Sequence, residues 1–212
     1  MLRVLYLSDR LCLPMNRDKL LTYLTSVLPM PAERAAEIAA YFNPIEMRRN
    51  DLLLKEGHIS HMSCFLEEGY CRAFTYDADN NDVTTALHMG GDFANEFTSF
   101  FRRTPSQETI QALTDCRGWA ISYNDVQLCF HSIPEFREFG RMLLINNYAQ
   151  LKQRMLAMIQ KTAEQRYAQL MATSPEIVQH VPLKYIATYL GVTDTSLSRI
   201  RKEFARREKS GE

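Results

Sequence analysis

The chain has 212 residues, 46% hydrophobic and 24% charged, the composition of an ordinary globular protein with room for one large domain or two small ones. Its 25 Lys and Arg balance 25 Asp and Glu, so the molecule as a whole is no general polyanion binder. Five cysteines with no C-x-x-C pair argue against a disulfide framework or zinc knuckle and for reduced thiols packed in a cytoplasmic protein; no stretch approaches transmembrane length, so no membrane partner is expected.

Residues 1–14 are apolar but interrupted by Asp9 and Arg10, with no small-residue cleavage site. They read as a non-secretory extension, with translation starting at Met15. From 16 to 42 the pattern is helical, with a stripe of Leu20, Leu21, Leu24, Val27 and Leu28 and a second helix opened by Pro31. The pattern changes at Pro44. Seven short β-rich segments follow, at 45–48, 51–55, 62–67, 70–76, 83–89, 108–113 and 117–122, separated by Gly and Asn/Asp turns. That spacing predicts an antiparallel sandwich or jelly roll.

A short helix is expected over 124–130, and Pro134 opens a long one running to about 161. Within it Leu144, Tyr148, Leu151, Met155, Met158 and Thr162 alternate by four and three, as a heptad seam does. The helix is therefore predicted to pair with a second copy in a homodimer; the alternative is burial of the stripe within one chain. A further helix covers 163–171.

Residues 181–204 read as two short helices joined by a tight turn. Gly191 suits the left-handed position that ends the first helix. Thr193 suits the N-cap of the second, with Asp194 in its first turn. Ala187, four residues before Gly191, is small, as a close helix crossing requires. This is the pattern of a DNA-binding helix-turn-helix. With Leu197, Ile200 and Phe204 inward, the outer face carries Thr195, Ser198, Arg199, Lys202 and Arg206. Charge is uneven: from 182 onward Lys184, Arg199, Arg201, Lys202, Arg206, Arg207 and Lys209 outnumber Asp194, Glu203, Glu208 and Glu212. A double-stranded DNA operator is the expected partner. Thr193, Asp194, Thr195, Ser196, Ser198, Arg199, Arg201 and Lys202 are the candidate contacts. Arg199 is assigned to a base edge; Thr195, Ser196, Ser198, Arg201 and Lys202 are assigned mainly to phosphates.

The order of parts resembles the Crp/Fnr family of bacterial transcription regulators. The likeness rests on Asn50 to Gly57, on Phe65 to Arg72, on Gly91 to Phe97, and on the helix-turn-helix behind them. It implies an α+β fold: a cyclic-nucleotide-binding-like β-roll over 15–133, a dimerisation helix over 134–161 and a helical DNA-binding domain over 162–212. It also implies a dimer switched by a small-molecule signal, with RNA polymerase as a further candidate partner. The stretch 174–181 and the tail after Phe204 are short for β-strands, so any wing is reduced or absent.

The resemblance further implies an effector pocket around Glu96, Phe97, Arg102, Arg103, Ser106 and Gln107. Members that bind cyclic AMP carry Gly-Glu-Leu and then Arg-Ser. Here Glu96 keeps the glutamate, Asn95 replaces the glycine, and Ser106-Gln107 stand on the Arg-Ser pair, with Arg102 and Arg103 on the intervening loop. A cyclic phosphate without its arginine is costly to bury, so cyclic AMP is not the expected effector. No cofactor is identified. Family members also begin the recognition helix with an arginine and a glutamate where this chain has Asp194 and Thr195, which implies a different operator. Two alternatives remain open: a ligand-binding-like module whose helix-turn-helix contacts protein, and an enzyme, for which no nucleophile–base set, phosphate loop or metal spacing is present in the sequence.

Overall fold

The computed structural model describes residues 16–210, with side chains to 207. The extension 1–14, the start at Met15 and Cys12 lie outside the described residues. The described chain divides into two compact units, 16–73 with 88–147, and 74–87 with 148–210.

The first unit opens with α1 (Asp18–Val27) and α2 (Ala32–Ala40), the two helices expected from the leucine stripe and from Pro31. The strands are β1 (Asn43–Met47), β2 (Leu52–Leu54), β3 (Met62–Glu68), β4 (Tyr70–Tyr76), β5 (Asp82–Met89), β6 (Phe93–Ala94), β7 (Thr109–Ala112) and β8 (Cys116–Ser122). They form two four-stranded sheets of order β1-β8-β3-β6 and β2-β7-β4-β5, the roll that the turn spacing predicted. Each of the seven expected strands is present within a few residues.

Two elements were not expected, the two-residue β6 and the helix α3 (Phe97–Arg102). Helix α3 exists because Glu96 caps it. The Glu96 carboxylate accepts the backbone N–H groups of Thr98 and Ser99, two donors that the first helical turn otherwise leaves unsatisfied. Arg102 therefore lies in the last helical turn and not on a loop; Arg103 follows in the left-handed conformation at φ 56°.

Alternation along β3 separates two interiors. Phe65 joins Phe93, Phe100, Trp119 and Ile121 against Leu20, Leu24, Ile38 and Phe42. Helix α4 (Tyr123–Ser132) and the start of α5 (Pro134–Gln160) close this core with Val126, Cys129, Phe136 and Phe139. The opposite side of β3 carries Cys64, where burial pushes the thiol up to about 12. Cys71 of β4 and Cys116 of β8 meet nearby, with sulfurs 3.7 Å apart. The Cys71 thiol is shifted up, mainly by its hydrogen bond to Cys116; Cys116 is drawn down to about 7 by the same bond.

Helix α5 ends at Gln160, two residues short of the expected end of the heptad run. Thr162 is not part of the seam. It is the N-cap of α6 (Ala163–Thr173), in a capping box with Gln165, and two orphan N–H groups are satisfied there at once. Three more helices complete the second unit: α7 (Pro175–His180), α8 (Leu183–Tyr189) and α9 (Asp194–Ser210). The stretch before the helix-turn-helix folds as α7, begun by Pro175, and among the described residues no strand follows Ser122.

Candidate nucleic-acid interface and ligand pocket

Helices α8 and α9 form the expected helix-turn-helix. Gly191 sits between them at φ +67°, the left-handed conformation that admits glycine most easily. A Cβ there would lie 2.5 Å from the terminal methyl of Met158. Thr193 caps α9: its hydroxyl accepts the Ser196 backbone N–H at 3.2 Å and donates to the Ser196 hydroxyl at 3.0 Å. Ile186, Ala187, Leu190, Leu197 and Ile200 are buried. Phe204 packs edge-on against Tyr167 of α6, with ring centroids 5.3 Å apart.

That inward set fixes the outward one. Thr195, Ser198, Arg199, Lys202 and Arg206 are all exposed on α9, as are Thr193 and Asp194; Ser196 and Arg201 are partly covered. One face of one helix thus presents two hydroxyls followed by three cations, within one rigid element. Asp194 stands in the first turn, where a helix dipole favours an anion.

Several residues that hold this motif had no signature in the sequence. Arg166 of α6 donates through Nε and Nη2 to the Leu190 carbonyl at 3.1 and 2.8 Å, satisfying a carbonyl at the end of α8. Arg154 of α5 donates to the carbonyls of Thr85 and Tyr189, and its guanidinium lies 4.1 Å from the Tyr189 ring centroid. The Thr188 hydroxyl accepts the Thr84 backbone N–H at 3.1 Å and donates to the Thr84 hydroxyl at 3.1 Å. These partners are 24 to 104 positions apart in sequence, so no local pattern announces them.

The heptad residues are open. Leu144, Tyr148, Leu151, Met155 and Met158 are 57%, 66%, 65%, 47% and 42% exposed, and Ile145 and Ile159 extend the apolar surface. None of these five residues is buried in the described chain. Met158 has a second role, since its methyl lies against Gly191.

The six residues expected around an effector do not converge. Glu96 is occupied in capping α3. The Ser106 hydroxyl donates to the Glu108 carbonyl at 2.7 Å and accepts the Glu108 N–H at 3.0 Å, so it is consumed within its own turn. Gln107 is exposed. Arg103 is anchored rather than solvated. It donates to the carbonyls of Ser60 and Phe100, its Nη2 lies 3.0 Å from His61 Nδ1, and its guanidinium stacks 4.2 Å from the Tyr123 ring centroid.

Phe97 and Arg102 do come together, at a cavity of about 520 Å³ in the first unit. It is bounded by α3, α4 and the start of α5, over the sheet face that carries Phe93 and Ile121. Eight phenylalanines line it, with Ser63 and Thr98 in the wall and Arg102 and Arg141 among its borders. Arg141 is held by Glu138 at 2.7 Å. No local pattern announces this cavity, because its walls converge from separate segments between Phe42 and Leu144.

Residues 44–132 match the family described as the cyclic nucleotide-binding domain. No curated protein matches the sequence significantly. The fold is similar to FixK2 from Bradyrhizobium japonicum, with a TM-score of 0.65 at 16% identity over 80% of this chain and 86% of that one. It is also similar to CLP, a c-di-GMP-responsive global regulator of Xanthomonas campestris, at 0.65 and 14% over 84% and 93%. A third similar structure is the catabolite activator protein of Thermus thermophilus, at 0.54 and 16% over 88% of each chain. The chain therefore contains a segment similar to the cyclic nucleotide-binding domain and has, over most of its length, the fold of these proteins and of a structure described as a Crp/Fnr-family regulator from Eubacterium rectale.

Proposed function

We propose that this chain is a sequence-specific DNA-binding transcription regulator that works as a homodimer. The observation that carries the reading is the exposed face of α9, on which Thr195, Ser198, Arg199, Lys202 and Arg206 stand over a buried Leu197 and Ile200. A helix so presented fits a major groove, with Arg199 forking onto a guanine and Lys202, Arg201 and the hydroxyls fixing register on phosphates. The open stripe from Leu144 to Met158 supports pairing with a second copy, and two-fold symmetry then predicts an operator of two half-sites about one helical turn apart.

The signal is a molecule other than cyclic AMP. Glu96 and Ser106, the residues that would meet ribose and phosphate, are both engaged by backbone groups of their own segment. RNA polymerase is a candidate downstream partner.

Selection of bound fragments from random DNA, followed by fluorescence anisotropy across a salt series, tests the proposal. A recovered two-fold motif whose affinity falls steeply with salt supports it. The competing reading, a helix-turn-helix that contacts protein, draws on the zero net charge of the chain. It predicts no enriched motif.

A further inference from the structure

The cavity between α3, α4 and α5 is not the nucleotide-binding interior of a β-roll. It lies on the side of β3 that carries Phe65, whereas Cys64 points to the roll interior with Cys71 and Cys116. Its volume of about 520 Å³ is within the range of small-ligand pockets, roughly 300–1,000 Å³. Protein interiors seldom leave such a space empty, because wall atoms without partners forfeit their dispersion contacts.

The walls select the class of occupant. Phe42, Phe93, Phe97, Phe100, Phe130 and Phe139 surround the space, and only Ser63 and Thr98 offer neutral polar groups. A sugar or cyclic phosphate would lose hydration there without replacement. No histidine, cysteine or methionine lines the cavity, so a haem would find no usual axial ligand. One charge at the border is available. Arg102 is exposed at the end of α3 and makes no hydrogen bond or ion pair with a described residue, whereas Arg141 is bound to Glu138. Of the exposed heptad stripe only Leu144 borders the cavity, so a second helix packed along that stripe need not fill it.

We propose that this cavity binds an anionic amphiphile of the medium-chain fatty-acid class, its chain among the phenylalanines and its carboxylate on Arg102. Calling that molecule the effector rests on the regulator reading above; its binding does not. An apolar body gains by leaving water, and a guanidinium at the mouth discriminates the acid from an uncharged analogue.

Isothermal titration of the full chain with decanoate and decanol, in the absence of DNA, tests the site. Saturable binding of one decanoate per chain is expected, tighter than decanol by roughly tenfold. Arg102→Gln should remove that preference while leaving decanol affinity unchanged. Thr98→Phe, at an exposed position of the wall, should weaken both probes together. Absence of saturable decanoate binding overturns the proposal, as does decanoate binding that R102Q leaves unaltered. Should T98F fail to fold, the acid-to-alcohol contrast in wild type and R102Q decides alone. Because no DNA is present, a negative result here leaves the regulator reading to its own assay.

Discussion

The Glu96 carboxylate accepts the backbone N–H of Ser99 at 2.6 Å, and with it Glu96 caps α3. The resemblance to cyclic-AMP-binding family members implies instead that Glu96 takes the place of a glutamate that holds a ribose hydroxyl. In the structure it closes the first turn of α3, and α3 in turn carries Phe97, Phe100, Phe101 and Arg102 to the apolar cavity.

Replacing Glu96 by alanine should therefore cost stability rather than nucleotide affinity. The lost cap is worth about 1 kcal/mol. Urea denaturation of the wild type and Glu96→Ala gives the difference. Cyclic AMP at millimolar concentration should leave the melting temperature of either protein unchanged, since a ligand that binds the native state would raise it.

Arg199→Ala should cost about 1–3 kcal/mol on the selected operator and much less on random DNA. Lys202→Ala should weaken both alike and reduce the slope of log affinity against log salt by about 1. Anisotropy titrations at four salt concentrations separate the two behaviours. Equal losses on both DNAs for Arg199→Ala would remove it from the base-reading role.

Gly191→Ala should destabilise the second unit by about 1–2 kcal/mol. The residue is held at φ +67°, where a Cβ strains the backbone, and the new methyl also meets Met158 at 2.5 Å. The obstacle is the flexible end of a methionine, so the dihedral strain should dominate. The double variant with Met158→Ala then recovers only a minor part of the loss. Chemical denaturation of both variants measures it.

His88 gives a pH dependence. Desolvation pushes its imidazole down to about 4, and its Nε2 has no hydrogen-bond partner among the described residues. The folded state thus disfavours the proton, while the unfolded chain takes it up near the ordinary value of 6.5. The unfolded state binds more protons below that value, so stability is complete above about pH 6.5 and falls as pH drops toward 4. The full penalty approaches roughly 3 kcal/mol. His88→Gln should flatten this part of the stability curve between pH 7 and 4. An unchanged slope would assign the acid sensitivity to other groups.

How much of this was legible beforehand depended on the distance over which each feature is encoded. The turn at Gly191-Val192-Thr193, the buried stripe of Ile186, Leu190, Leu197 and Ile200, and the basic outer face of α9 are local in sequence. Helical spacing and capping chemistry act over three to five residues, so the motif follows from its own letters. The same holds for the strands of the roll, bounded by their turns, and for the heptad stripe on α5. Only its end was misread, because Thr162 continues the four-and-three spacing and is also a favoured cap for a following helix. Tertiary structure decided what each polar side chain spends its hydrogen bonds on. Glu96 and Ser106 turned to nearby backbone, Arg103 to Ser60 and His61, Arg166 to Leu190. It also made the cavity, whose walls converge from separate segments between Phe42 and Leu144. Periodicity shows which face of an element is apolar. It does not show whether the faces that meet fill the space between them, because that depends on side-chain volumes brought together from distant parts of the chain.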